Sequence, residues 1–125
     1  MSYYLFLDDV RVPRSVTWVT LPSADWRIVR DYSHFVQCIK TYGVPEFVAY
    51  DHDLADSHYT DMNHGGEINY DRLEEKTGYD CAKFLVNECN KLGVPHPPYV
   101  VHSMNPIGAK NIIAYIEQYN RMCGK

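Results

Sequence analysis

The chain has 125 residues, a length that suits one domain over 1–125. Hydrophobic residues make up 46% and charged residues 22%, which supplies a core and excludes a disordered chain. A net charge of −4 with a pI of about 5.8 excludes a general nucleic-acid binder, although a metal in an acidic pocket still admits a nucleotide or an RNA end.

Tyr3 to Leu7 is a short run, apolar on both faces, that stops at Asp8 and Asp9, and it predicts a buried strand. Residues 10–25 contain Pro13 and Pro22 and show no helical period, which predicts a loop with at most one helical turn. Trp26 to Val29 is a second strand. Ser33 is the expected N-cap of a helix with Phe35, Val36, Ile39 and Tyr42 on one face, ended by Gly43 and Pro45. Phe47 to Tyr50 is a third strand and stops at Asp51. The polar stretch over 55–77, with His58, Tyr59, His64 and Tyr70, is long for a connection and is expected to be an active-site loop. A second helix follows from Tyr79 to Leu92, with Ala82, Leu85, Val86 and Cys89 inward and Gly93 and Pro95 after it. Tyr99 to Val101 is a fourth strand, ending at His102. Asn105-Pro106 opens a third helix, with Asn as cap and Pro as first helical residue, and Ala109, Ile112, Ile113 and Ile116 as its stripe. Strands alternating with helices imply a parallel α/β sheet with right-handed crossovers.

The start of the chain has neither a basic segment nor a long apolar one, and no run approaches membrane-spanning length, so the expected place is the cytoplasm, with no membrane partner. Cys38, Cys81, Cys89 and Cys123 form no C-x-x-C pair and suit small buried thiols in a reducing compartment.

In open parallel sheets, ligands bind beyond the carboxyl ends of the strands. That rule selects Asp8, Asp9 and Arg11 after the first strand, Asp51, His52 and Asp53 after the third, and His102, Ser103 and Asn105 after the fourth. Singly, these are ordinary turn and cap residues. Together, four carboxylates and two histidines at one edge repel one another and lose hydration unless something organises them. A hard divalent cation, Mg²⁺ or Mn²⁺, is the simplest organiser, with Asp8, Asp9 and Asp51 as preferred ligands and Asp53 as a less favoured one. Imidazole is the side chain suited to proton transfer near neutrality, which makes His52 and His102 candidate acid–base groups, with Ser103 beside them. Arg11, Asn105 and Lys110, with the N-terminus of the third helix, are candidates to hold a phosphate.

Three segments carry a family resemblance. Leu7-Asp8-Asp9-Val10-Arg11-Val12-Pro13, Tyr50-Asp51-His52-Asp53-Leu54, and Val101-His102-Ser103-Met104-Asn105-Pro106-Ile107-Gly108-Ala109 resemble, in order, the signature of the cyclic-phosphate processing receiver-like family. Lys76 to Lys83 is similar to it as well. The resemblance implies a three-layer, receiver-like (flavodoxin-like) parallel sheet of about four strands. It lacks the fifth strand and first helix of ordinary receivers. It also implies phosphoester chemistry in bacteria or their phages, on a cyclic nucleotide or a 2′,3′-cyclic phosphate RNA end. Asp8 and Asp9 resemble the acidic metal pair of receivers, Asp51 the phosphoacceptor, and Ser103 the hydroxyl residue. His52 and His102 have no receiver counterpart, and the usual fifth-strand lysine is missing. That balance favours a metal-dependent phosphodiesterase over a phospho-signalling receiver. The competing expectation is a module of the same fold that binds a nucleotide or a phosphorylated partner without turnover.

Overall fold

Leu5, Phe6 and Leu7 have no solvent exposure, as an apolar run in the middle of a parallel sheet requires. The computed structural model describes residues 3–54 and 77–123. In chain order they form β1 (Tyr4–Leu7), a 3₁₀ turn (Pro13–Ser15), β2 (Trp26–Val29), α1 (Tyr32–Tyr42), β3 (Phe47–Tyr50), α2 (Gly78–Leu92), β4 (Tyr99–Val101) and α3 (Pro106–Cys123). The expected active-site loop over 55–77, with its tyrosines and histidines, lies outside the described residues except for Thr77.

The four strands are all parallel and run in the order β2-β1-β3-β4. Leu7 pairs with Val29, Phe6 with Ala49, and Tyr50 with Val101, so the strands end nearly level. The next residue of each keeps one ladder bond. The Asp8 N–H donates to Val29 O (3.1 Å), the Asp51 N–H to Leu7 O (3.0 Å) and the His102 N–H to Tyr50 O (2.9 Å). Strand register alone therefore sets Asp8, Asp51 and His102 side by side.

The two faces of the sheet are covered differently. Leu5, Leu7, Val29, Val48 and Tyr50 pack under all three helices, against Phe35 and Ile39 of α1, Leu85 and Cys89 of α2, and Ile112 and Ile116 of α3. The alternate residues Phe6 and Ala49, with Trp26, Ile28 and Val100 around them, meet Val16, Val19 and Leu21 of the 10–25 segment. The third layer expected for a receiver-like fold is thus a loop rather than helices among the described residues.

Asp31, not Ser33, caps α1, its carboxylate accepting the His34 N–H at 2.8 Å. Ser33 lies inside the first turn; a carboxylate two residues earlier meets the same unpaired donors and suits the positive end of the helix. Ile113 is 42% exposed rather than part of the α3 stripe, because α3 buries the line Gly108-Ile112-Ile116 instead. Thr77 and Asp80 form a capping box at α2, and Gly93 ends that helix in a left-handed conformation (φ 71°). Among the described residues, no helix is long and apolar enough to cross a membrane.

Candidate metal and phosphoester site

The level strand ends create an acidic centre. Asp8, Asp51 and His102 are all buried, and one donor atom from each lies within 4.8 Å of the others. Ligands at about 2.1 Å from one ion stand roughly 3 to 4 Å apart, so a small inward adjustment brings all three onto a cation.

Asp8 is the best-supported carboxylate. Its Oδ1 accepts the N–H groups of Val10 (3.0 Å) and Arg11 (2.8 Å), and its Oδ2 accepts from His102 Nε2 (3.0 Å) and Arg11 Nη1 (3.4 Å). Burial alone pushes its pKa up, but these donors and the His102 ring outweigh burial and hold it well below the ordinary value. Asp8 stays ionised.

Asp51 has the opposite balance. Its Oδ1 accepts only the following His52 N–H in the bonds seen here (2.8 Å). Burial, then the negative charge of Asp8, raises its pKa to about 6. Two buried carboxylates that repel in this way mark a cation site more clearly than a satisfied pair does.

His102 is wholly buried and lies flat on Phe6, with centroids 4.8 Å apart and rings 1° from parallel. Asp8 can only accept, so the proton of their contact sits on Nε2. Nδ1 is the one buried side-chain polar atom with no partner among the described residues. The other tautomer, with the proton on Nδ1, frees Nε2, the nitrogen that faces Asp8, to ligate a cation together with the two carboxylates.

A second cluster stands beside the first. His52 Nδ1 bonds Asp53 Oδ1 at 2.8 Å, and Asn105 Nδ2 donates to Asp53 Oδ1 at 3.2 Å. The His52 contact, first among the causes, lowers the Asp53 pKa. Asn105 Oδ1 accepts the Gly108 N–H at 3.0 Å, and Ser103 Oγ accepts the Asn105 N–H at 3.1 Å. Two glycines allow this packing. A Cβ on Gly108 would lie 2.4 Å from His52 Cγ, and one on Gly78 only 1.7 Å from Asp51 O. The Gly78 N–H donates to His52 O at 2.8 Å, so α2 begins directly on the site backbone.

The sequence-derived candidates therefore divide. Asp8, Asp51 and His102 converge. Asp53 is drawn to His52 and Asn105, outside that triad. Asp9 neighbours the centre, where its charge raises the Asp51 pKa. Asn105 and Ser103 act as cap and turn residues, which occupies donors that a phosphate at the α3 N-terminus would use. Lys110 is exposed on α3. Arg11 reaches the Asp8 carboxylate and lies 5.1 Å from the centre of the Trp18 ring.

Two residues at the site were not among the candidates. Arg30 Nη1 donates to the carbonyls of Asp8 (3.1 Å) and Arg11 (2.6 Å) and ties down the turn after β1. It directly follows β2, so the rule that selected the other candidates would have found it. Trp18 Nε1 donates to His102 O at 2.7 Å. It lies in a segment without periodicity, and no pattern pointed to it.

A sequence profile for the cyclic-phosphate processing receiver domain matches residues 3–118. No curated protein and no solved structure matches the chain.

Proposed function

The chain belongs to the cyclic-phosphate processing receiver domain family, and from that premise we propose that it is a metal-dependent phosphoesterase that opens a cyclic phosphate, on a nucleotide or an RNA end. The observation that carries this reading is the buried convergence of Asp8, Asp51 and His102 at the carboxyl edge of the sheet. These three would hold a divalent cation. An imidazole beside two carboxylates suits Mn²⁺ better than Mg²⁺, which prefers oxygen ligands and retains water. When bound, such an ion polarises a phosphoryl oxygen and lowers the pKa of water.

The chain's own residues would do the rest. Asp53 accepts the Nδ1 proton of His52, which leaves Nε2 as the basic nitrogen. In the proposed reaction His52 takes a proton from the attacking water. The water oxygen bonds to phosphorus, one ring P–O bond breaks, and the departing oxygen receives the proton. In this reading His102, wholly buried, would bind the cation through Nε2 in place of its bond to Asp8, and the proton transfer falls to His52. Arg11 is the residue best placed to receive a phosphoryl oxygen, since its side chain is partly exposed beside Asp8.

The test is chromatographic product analysis with 2′,3′-cyclic and 3′,5′-cyclic nucleotides and a cyclic-phosphate oligonucleotide, with Mn²⁺, Mg²⁺ or EDTA. Turnover of one class that is lost in EDTA, in Asp51→Asn and in His52→Ala is expected. Full activity in excess EDTA refutes the metal assignment. Tight retention of unchanged ligand replaces the enzyme with a binding module.

A further inference from the structure

We propose that Trp18 is a stacking platform for the base of the substrate, which makes the ligand a nucleoside cyclic phosphate rather than any cyclic phosphodiester. The proposal rests on the cyclic-phosphate reading of the site and adds a substrate class and a specificity residue to it.

The indole is held by its edge and exposed on its surface. Its Nε1–H donates to the carbonyl of His102, whose side chain is in the buried triad, so the ring stands one residue from the centre. The Arg11 guanidinium lies over one face of the ring, 5.1 Å from its centroid, and also touches the Asp8 carboxylate, so the base would stack on the opposite face. Trp18 thus joins the backbone of one triad residue to the side-chain partner of another. Despite these ties the side chain is 41% exposed. No described aromatic ring packs on it, whereas Trp26 meets Tyr4, Phe6 and Phe47.

Burial of the indole in the core explains none of this. Val16, Val19 and Leu21 of the same segment cover the sheet, while Trp18 turns outward between them. Two other apolar side chains are exposed at the strand ends: Val10 follows the Asp8-Asp9 pair and is 59% exposed, and Met104 follows His102-Ser103 and is 65% exposed. A fixed, exposed indole loses little conformational freedom when a flat ring covers it. Base–aromatic stacking tolerates any base and contributes tenfold or more in affinity, on the order of what one good stack supplies. A ring beside Arg11 and the triad places the base next to the phosphate, as a nucleoside cyclic phosphate demands.

The test compares two ligands of equal charge by calorimetric titration with Mn²⁺ present: a nucleoside 2′,3′-cyclic phosphate and glycerol 1,2-cyclic phosphate, which has no base. Every protein carries His52→Ala so that no ligand is turned over, and wild type here means Trp18 intact. An oligonucleotide ending in the same cyclic phosphate separates a free nucleotide from an RNA end. Wild type is expected to bind at least one base-bearing ligand roughly tenfold more tightly than the glycerol ester. Trp18→Ala should collapse that ratio, and Trp18→Phe, which keeps a ring, should retain most of it. The indole fluorescence should also be quenched by the base-bearing ligand in wild type and not in Trp18→Phe. Equal affinity of wild type for all ligands, or a ratio that survives in a folded Trp18→Ala, overturns the platform while leaving the cyclic-phosphate site intact. Failure of every cyclic phosphate to bind overturns both.

Discussion

Replacing Asp51 with Asn should make the metal-free protein more stable while abolishing its proposed chemistry. The folded-state pKa of Asp51 is raised to about 6 from 3.8, first by burial and then by Asp8. A raised carboxylate pKa means that ionisation opposes folding. The group's favourable contribution is present below pH 3.8 and is lost as pH rises through about 6. The difference of about two pKa units corresponds to roughly 3 kcal/mol above pH 7. Asn removes the charge yet keeps an oxygen for the His52 N–H, so little is lost in exchange. For a domain of this size the gain is about 10 °C in Tm. The assay is thermal unfolding of both proteins in EDTA at pH 8 and pH 5. The advantage should be largest at pH 8 and about half as large at pH 5, where the wild-type carboxyl is mostly protonated. Adding Mn²⁺ should stabilise wild type and leave the variant unmoved. An Asn variant no more stable than wild type at pH 8 in EDTA would refute the picture of two repelling buried carboxylates.

Two further perturbations probe the scaffold. His96 is buried between Pro97 O (2.7 Å from Nδ1) and the Tyr50 hydroxyl (2.7 Å from Nε2), and burial depresses its pKa to about 4 from 6.5. Its contribution is complete above pH 6.5 and falls away with acid, by about 2 kcal/mol at pH 5. In urea titrations the stability difference between wild type and His96→Gln should shrink by that amount from pH 7 to 5, and a constant difference would refute the assignment. Gly78→Ala places a Cβ 1.7 Å from Asp51 O, so it should displace α2 or the Asp51 backbone and cost on the order of 2–4 kcal/mol. A circular-dichroism melt unchanged from wild type would show that α2 does not start against that carbonyl.

Most of the architecture was legible because several signals agreed. The strands are short runs apolar on both faces, and Gly-x-Pro follows two of the helices at Gly43-Val44-Pro45 and Gly93-Val94-Pro95. The observed bounds of β2, β3 and β4 match the expected ones, and β1 begins one residue later than expected. Where two good caps stood close together, as Asp31 and Ser33 do, residue type could not choose between them. The site was legible to the extent that a strand end governs it: Asp8, Asp51 and His102 follow from register. Past that first residue the pleat stops, and local hydrogen bonding decides direction. Asp53, Asn105 and Ser103 are as suited to turns and caps as to ligand binding, and here they bond to one another or to backbone. Trp18 was invisible because the segment holding it has no period from which orientation could be read.

The loop over 10–25 does two jobs with one set of residues. Val16, Val19 and Leu21 seal the second sheet face, and between them Trp18 reaches the His102 carbonyl. Lifting this segment would wet Phe6, on which the His102 ring rests. A base stacked on Trp18 as it stands needs no such opening, and lifting the segment would cost the apolar surface it uncovers. Amide protection in β1 should rise when a ligand stacked on Trp18 holds the segment in place, although the ligand contacts that segment rather than β1.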